Sequence, residues 1–490
     1  MDDSISIYHR LRGGGGIDAR TWDDLNLDDV FASIDNTTSA VGRQYLYHRL
    51  RTPSHDADEL RRFDARVQSS VLRPREAGEK VPKADEGIFA KLNDDRAYLL
   101  PHLFLRPLPD RARFGWAYPL LSVAALVSII AVFVVPYVLL PMLAILATNI
   151  GIEIFYRRRI YAYIQPLRML NAFLSAGAGV APEEVKRLAP LRRATAWLIV
   201  ETEGRDDLIS YVVQYLNMFF LADVNAFAST LGIVDRERDT IARIWEAIGE
   251  ADAAVSIAKF RRALPVFAKP DFTGESLEIE AAYHPLLSDA VANSIAIDGK
   301  GVLVTGSNMS GKSTFLRTIA VNAVLAQTIF TTCSRGWRGP LIDVKSSIGR
   351  GDDLIAGKSY YLAEVQRVGE LLRDAGSERK HLFVIDEIFR GTNAIERIAA
   401  ARAVLAHLVR KNDFVIVATH DLELTGLLAG QYDAYHFREL IEQNALAFDF
   451  RLQHGPSSTR NAIAILQLYG FPPDVVADAE RIVAMLEKRM

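Results

Sequence analysis

Gly306-Ser307-Asn308-Met309-Ser310-Gly311-Lys312-Ser313-Thr314 places two glycines, a lysine and several hydroxyls within nine positions. This is the spacing G-x-x-x-x-G-K-[ST] of a phosphate-binding loop. The apolar run Val302–Thr305 precedes it, and a helical pattern over Ser313–Ala326 follows it. Gly306 and Gly311 let the backbone wrap a phosphate with its N–H groups pointing inward. The helix start adds partial positive charge, Lys312 reaches the β- and γ-phosphates, and the Ser313 hydroxyl suits Mg²⁺. The pattern predicts an ATP–Mg²⁺ site.

Two further elements fit phosphoryl transfer. Leu382-Phe-Val-Ile-Asp386-Glu387 reads as a buried strand ending in a carboxylate pair. Asp386 would hold the Mg²⁺ hydration shell and Glu387 would polarise the attacking water. Alone such a strand is a weak signal, because many strands end in solvated acidic turns. The phosphate loop about 75 residues upstream makes it a specific one. The strand Phe414–Thr419 ends in His420-Asp421, and a histidine there could reach the γ-phosphate and report its hydrolysis. A lone strand-end histidine is more often a local hydrogen-bonding residue; the order of the motifs favours the switch role. Gly357-Lys358-Ser359 leads into a helix containing Glu364. That helix start could bind a phosphate, although a serine there is commonly only an N-cap.

The positioning elements follow from periodicity. Gly301–Thr305, Leu382–Ile385 and Phe414–Thr419 are apolar strands, alternating with helical stretches at Ser313–Ala326, Ile395–Arg410 and Leu422–Ala429. That alternation predicts an α/β domain with a mainly parallel sheet. Val266–Ile297 carries short β-like runs, and Thr21–Leu105 and Ile160–Leu264 read as helical, including Leu208–Ala222 and Arg236–Ala258. The expected organisation is a leader over 1–20, helical regions over 21–113 and 157–265, an ATPase domain over 266–470 and a C-terminal helical element over 471–490.

Phe114–Ile152 contains no charged residue over thirty-nine positions. One helix of that length would run about 58 Å, nearly twice a bilayer's hydrocarbon core, so two helices fit better. They are expected at Trp116–Val135 and Val138–Tyr156, with Pro136 and Tyr137 at the turn and Glu153 in the last turn of the second. Arg106, Arg111 and Arg113 precede the run and Arg157, Arg158 and Arg159 follow it. The expectation is a transmembrane hairpin over 114–156, at the cytoplasmic membrane, with both soluble portions cytoplasmic. A buried soluble hairpin is the competing expectation. The net charge of −3 gives no general nucleic-acid signature, and the single cysteine, Cys333, excludes an internal disulfide framework.

Together these residues resemble the ATPase domain of the MutS mismatch-repair family, an ABC-like branch of P-loop ATPases. The resemblance is carried by Gly306–Thr314 with its Asn308-Met309 pair, by Ile348–Ser359, by Asp386–Asn393 and by Ala418–Asp421. It covers about Phe267–Gly470, and Tyr283-His284-Pro285 with Asn293 is similar to the segment leading into the family's nucleotide pocket. More weakly, Leu27–Pro53 and Ala247–Ala258, with Asp252 and Ser256, look like the family's core domain. Gly470–Ala477 resembles its closing dimerisation element. The resemblance implies a homodimer around two nucleotides, with Ser359 of one subunit capping the γ-phosphate held by Lys312 of the other. It also implies DNA as a partner. Only about twenty residues precede the core-like start, so the expected protein is a short, membrane-anchored member lacking the mismatch-recognition domain. The alternative is an ABC-like mechanical or signalling ATPase at the membrane that does not bind DNA.

Overall fold

The protein is described by a computed structural model covering residues 3–71, 84–110, 115–195, 208–307, 309–349, 360–390, 392–442, 445–456, 466 and 469–487. The chain divides into two compact units. One comprises Met1–Gly15, Asp35–Arg49 and Arg66–Lys259; the other comprises Gly16–Ile34, Leu50–Ala65 and Phe260–Met490.

The first unit is helical among its described residues. At one end Trp245 stacks on Tyr8 at 3.9 Å and meets Phe104. Asp252 is buried there and accepts from Thr38 N at 3.0 Å and Ser39 N at 2.8 Å, leading into the helix Ala40–Arg51. Those N–H groups would otherwise lack a partner at the helix start. The contact leaves no room for a larger residue at Gly42, whose Cβ would lie 2.2 Å from Asp252 Oδ2. Ser256 Oγ accepts from Asn36 N at 2.8 Å. Segments more than 200 residues apart in sequence are thus joined by charge-assisted and hydroxyl caps.

The uncharged run does form a helical hairpin, but not the two equal helices expected. Its first helix is Ala117–Ala131, fifteen residues rather than twenty; its second runs unbroken over Leu139–Arg168, thirty residues. Among the described residues one helical stretch, Pro136–Tyr156, is long and apolar enough to cross a membrane. The first helix stops early because Val132–Val135 turn before Pro136. The second continues because nothing at Tyr156 breaks it, so Glu153 sits mid-helix, and buried, rather than in a last turn. Pro119 and Pro141 lie in first turns, where a missing N–H is harmless. The helix Leu208–Phe220 packs on both hairpin helices. It ends two residues before the expected Ala222, at left-handed Leu221, and Ala222–Arg236 continues as a separate helix. The last long helix of this region is Arg238–Ala263.

The second unit is a mixed α/β layer. Strands β1 (Leu277–Ala282), β2 (Asn293–Ile297) and β4 (Gly336–Arg338) form a small antiparallel sheet in the order β2-β1-β4. Strands β3 (Gly301–Thr305), β5 (Asp343–Ile348), β6 (His381–Asp386), β7 (Phe414–Ala418), β8 (Tyr432–Glu442) and β9 (Ala445–His454) form the main sheet. Its order is β5-β6-β7-β3-β8-β9, parallel except for the antiparallel β8–β9 pair. Every residue of β3, β6 and β7 is buried, as expected of strands covered on both faces. Helices Lys312–Ile329, Tyr360–Asp374 and Ala394–Val409 cover them. The edge strand β5 is covered by the short helix Ala19–Asp24, whose Asp24 carboxylate accepts from Ser346 Oγ at 2.7 Å and Ile348 N at 2.9 Å. An exposed edge would otherwise invite strand pairing.

Candidate nucleotide site

The strand order explains how distant motifs meet. With β7 between β3 and β6, the C-terminal ends of three adjacent parallel strands carry, in spatial order, the phosphate loop, His420 and Asp386-Glu387. This end of an open α/β sheet is where ligands bind.

Gly306 (φ +139°) and Gly311 (φ +101°) occupy left-handed backbone that a side chain would strain. A Cβ at Gly306 would also lie 2.8 Å from Ser310 Oγ. Gly311 is the N-cap of the helix that begins at Lys312. Lys312 is buried, and its Nζ donates to Gly306 O and Ser307 O at 2.7 Å each, with His420 Nε2 at 3.3 Å. Ser313 Oγ donates to Asp386 Oδ2 at 2.5 Å. A hydroxyl and a carboxylate in contact are the hard oxygen donors that suit Mg²⁺, which keeps its other positions for water and phosphate oxygens. The glycine cradle, the buried lysine and this oxygen pair fit a Mg²⁺–nucleoside triphosphate.

Glu387 follows β6 in the left-handed region (φ +58°), as does Phe389 (φ +62°). Non-glycine residues held there store strain of order 1–3 kcal/mol each, and such strain clusters at functional sites. Glu387 Oε1 lies 2.7 Å from His420 Nε2 and Oε2 lies 2.5 Å from Arg390 Nε. Burial alone would raise this carboxyl. The His420 hydrogen bond and the charges of Arg390, His420 and Lys312 more than offset it, and the net direction is downward. Glu387 is therefore an ionised acceptor, held between Arg390 and His420 and near Lys312. Asp421, next to His420, is clamped by Arg397 at 2.9 and 2.6 Å, which fixes the turn after β7.

A cavity of about 450 Å³ opens beside the loop. Gly311–Phe315 form one wall, and Leu287, Val291, Phe437 and Phe450 supply apolar surface. Its volume and lining suit a base and sugar. His284 borders it, buried, its pKa pushed down to about 4 by desolvation and the nearby Arg317, so it is neutral at physiological pH. Asn293 donates to Phe450 O at 3.0 Å and accepts from Leu452 N at 2.8 Å, tying the end of the β1–β2 connection to β9.

The structure thus gathers Gly306, Ser307, Ser310, Gly311, Lys312, Ser313, Asp386, Glu387 and His420 at one place. Thr314, Met309 and His284 border the adjoining cavity. Asn308 and Ser359 lie outside the described residues. Sequence reasoning missed Phe437 and Phe450, which arrive from strands more than 120 residues downstream. It also assigned no role to Arg390 or Glu364. Glu364 is buried and accepts from Phe389 N at 2.5 Å and Arg390 N at 3.1 Å, holding the strained loop behind Glu387. Burial raises its carboxyl, and the two N–H bonds only partly offset this. A glutamate on an otherwise amphipathic helix face was the one available signal.

Residues 302–487 match MutS domain V. The C-terminal half of the chain is similar to curated MutS proteins. It is 32% identical over 271 residues to a DNA mismatch repair protein MutS of Thermus thermophilus, covering 52% of this chain and 33% of that one. It is 33% identical over 227 residues to the Thermus aquaticus protein, covering 46% and 28%. The Thermus caldophilus protein is 34% identical over 227 residues, covering 46% and 27%. The chain spans about a third of the length of the curated relatives it matches. Over this region the chain is similar to MutS domain V and to these MutS proteins.

Proposed function

We propose that this chain binds ATP with Mg²⁺ and hydrolyses it as a dimer held at a membrane, serving a DNA transaction related to mismatch repair or recombination. The observation that carries the ATPase reading is the convergence of Lys312, His420 and Glu387 on one sheet end, with Ser313 against Asp386. Lys312 neutralises β- and γ-phosphate charge, and Ser313 and Asp386 would hold Mg²⁺, which supplies further charge stabilisation. Glu387 orients and polarises the attacking water, and His420 couples that carboxylate to the phosphate. Domain-V similarity supports the same reading.

The dimer, with Ser359 serving the partner's site, rests on the MutS resemblance. The DNA role rests on the relatives, which are named DNA mismatch repair proteins. The membrane rests on the exposed apolar hairpin, where Phe133 is 87% and Tyr137 90% exposed. A mechanical or signalling ATPase that never touches DNA is the second reading, favoured by the net charge of −3.

The test is Glu387→Gln in the full-length protein. ATP binding should persist while turnover falls by about 10²–10⁴, the usual worth of a positioned base. Hydrolysis at the wild-type rate would refute the role given to Glu387. DNA affinity measured against salt then separates the two readings, since phosphate contacts weaken steeply as salt rises.

A further inference from the structure

We infer that the helix Leu208–Phe220 is a third lipid-facing helix, packed on the hairpin so that all three turn apolar side chains to acyl chains and enclose a polar interior. The inference rests on the membrane reading of the hairpin and adds a segment too short to be a span by length.

The polarity of this bundle is inverted. A helix of a soluble domain buries its apolar stripe and shows water its polar face. In Leu208–Phe220, Val212, Tyr215 and Leu216, at i, i+3 and i+4, are exposed, whereas Asn217 is buried. In Ala117–Ala131 the buried positions are Tyr118, Ser122, Ala125 and Ser128, while Leu120, Val123, Val127 and Ile130 face outward. In Leu139–Arg168, Asn149 and Glu153 are buried one turn apart, while Leu140, Leu143 and Ile154 are exposed. Small and hydrogen-bonding residues between helices, with large apolar ones outside, are the arrangement of helices packed in hydrocarbon.

The end of the third helix points the same way. Its last carbonyls have no partner within the helix, because left-handed Leu221 stops it. Asn149 Nδ2 donates to Phe219 O at 2.7 Å, Ser122 Oγ to Phe220 O at 2.6 Å, and Asn225 Nδ2 to Phe220 O at 3.2 Å. Each hairpin helix thus supplies a side chain that caps the third. Without water, backbone groups must be satisfied from within the protein, and the Phe219 and Phe220 carbonyls are. A protein partner would need one apolar face, but exposed apolar side chains occur on every described turn of the first hairpin helix and at its tip. The arginines that flank the run in sequence match anionic headgroups. The occupant that fits is a bilayer.

The test uses full-length protein in vesicles of phosphatidylcholine and phosphatidylglycerol. Variants with one added surface cysteine carry an environment-sensitive fluorophore at Val212, Leu216, Leu126 or, as an aqueous reference, Glu183. The buried native Cys333 stays in place. Quenchers are spin-labelled lipid on one side of the comparison and aqueous iodide on the other. The expected result is that Val212→Cys and Leu216→Cys are quenched by lipid to the extent of Leu126→Cys and shielded from iodide, opposite to Glu183→Cys. Lipid quenching at Leu126 with iodide quenching at Val212 and Leu216 would overturn the third helix and leave the hairpin intact. Iodide quenching at all four would overturn the membrane reading itself.

Discussion

The phosphate-loop unit and the hairpin bundle bury opposite things. In the first, β3, β6 and β7 bury largely apolar runs, and the charges near them are paired: Glu387 with Arg390, Asp421 with Arg397. In the second, serine and asparagine are inside and leucine, valine and phenylalanine outside. On the membrane reading proposed above, the same amino acids are sorted in reverse because sorting depends on the medium outside. Water rewards removal of apolar area at roughly 25 cal/mol per Å², whereas acyl chains give no such reward and leave hydrogen bonding and close packing to choose the interior.

The comparison can be broken most sharply at the phosphate loop. Lys312→Ala removes the buried ammonium from the loop, and ATP binding measured by calorimetry should fall below detection. Retention of wild-type affinity would mean that the loop does not hold the β- and γ-phosphates. The second break is at the bundle. Replacing Phe114–Ile152 with a short Gly/Ser linker should move the protein from a carbonate-resistant membrane pellet to the supernatant, with ATP affinity kept. Unmodified full-length protein that is monodisperse without detergent would end the membrane reading.

Smaller effects sharpen the first region. Glu364→Ala leaves the Phe389 and Arg390 N–H groups without their acceptor, a cost of about 1–3 kcal/mol. Because the loop behind Glu387 then shifts, kcat should drop by roughly tenfold to a hundredfold with KM for ATP little changed. An equal loss in KM would make Glu364 merely structural. The smallest effect is a pH dependence. Glu387 titrates below its ordinary 4.5 in the folded chain, so its ionised form contributes stability that is complete above about pH 4.5. That contribution is lost as pH falls through the depressed folded value. Urea midpoints of wild type and Glu387→Gln should therefore converge as pH is lowered below about 4.5, and a gap that widens there would contradict the ion pairs drawn around Glu387.

Much of the proposed catalytic set was legible in the chain because its chemistry is local. Gly306–Thr314, Asp386-Glu387 and His420 each sit at the end of an apolar strand, and a strand end fixes where a side chain emerges. Phe437 and Phe450 were not legible, since β8 and β9 reach the loop only through sheet pairing. Helix ends in the hairpin were misplaced for a related reason. Thirty-nine uncharged residues set no internal boundary, and the shortness of Ala117–Ala131 reflects the turn at Val132–Val135 rather than any change in composition.

The sequence by itself determined the phosphate loop, the carboxylate pair, the parallel-sheet pattern and the uncharged run, because residue spacing and hydrophobic period act over a few residues. Only the tertiary structure decided that β7 lies between β3 and β6, and so that His420 stands between Lys312 and Glu387. It also decided that Asp252 caps a helix more than 200 residues earlier, and that Asn149 and Ser122 cap the end of Leu208–Phe220. Backbone groups left over at helix ends and loop turns must find partners wherever the chain can supply them. That accounting closes only in three dimensions.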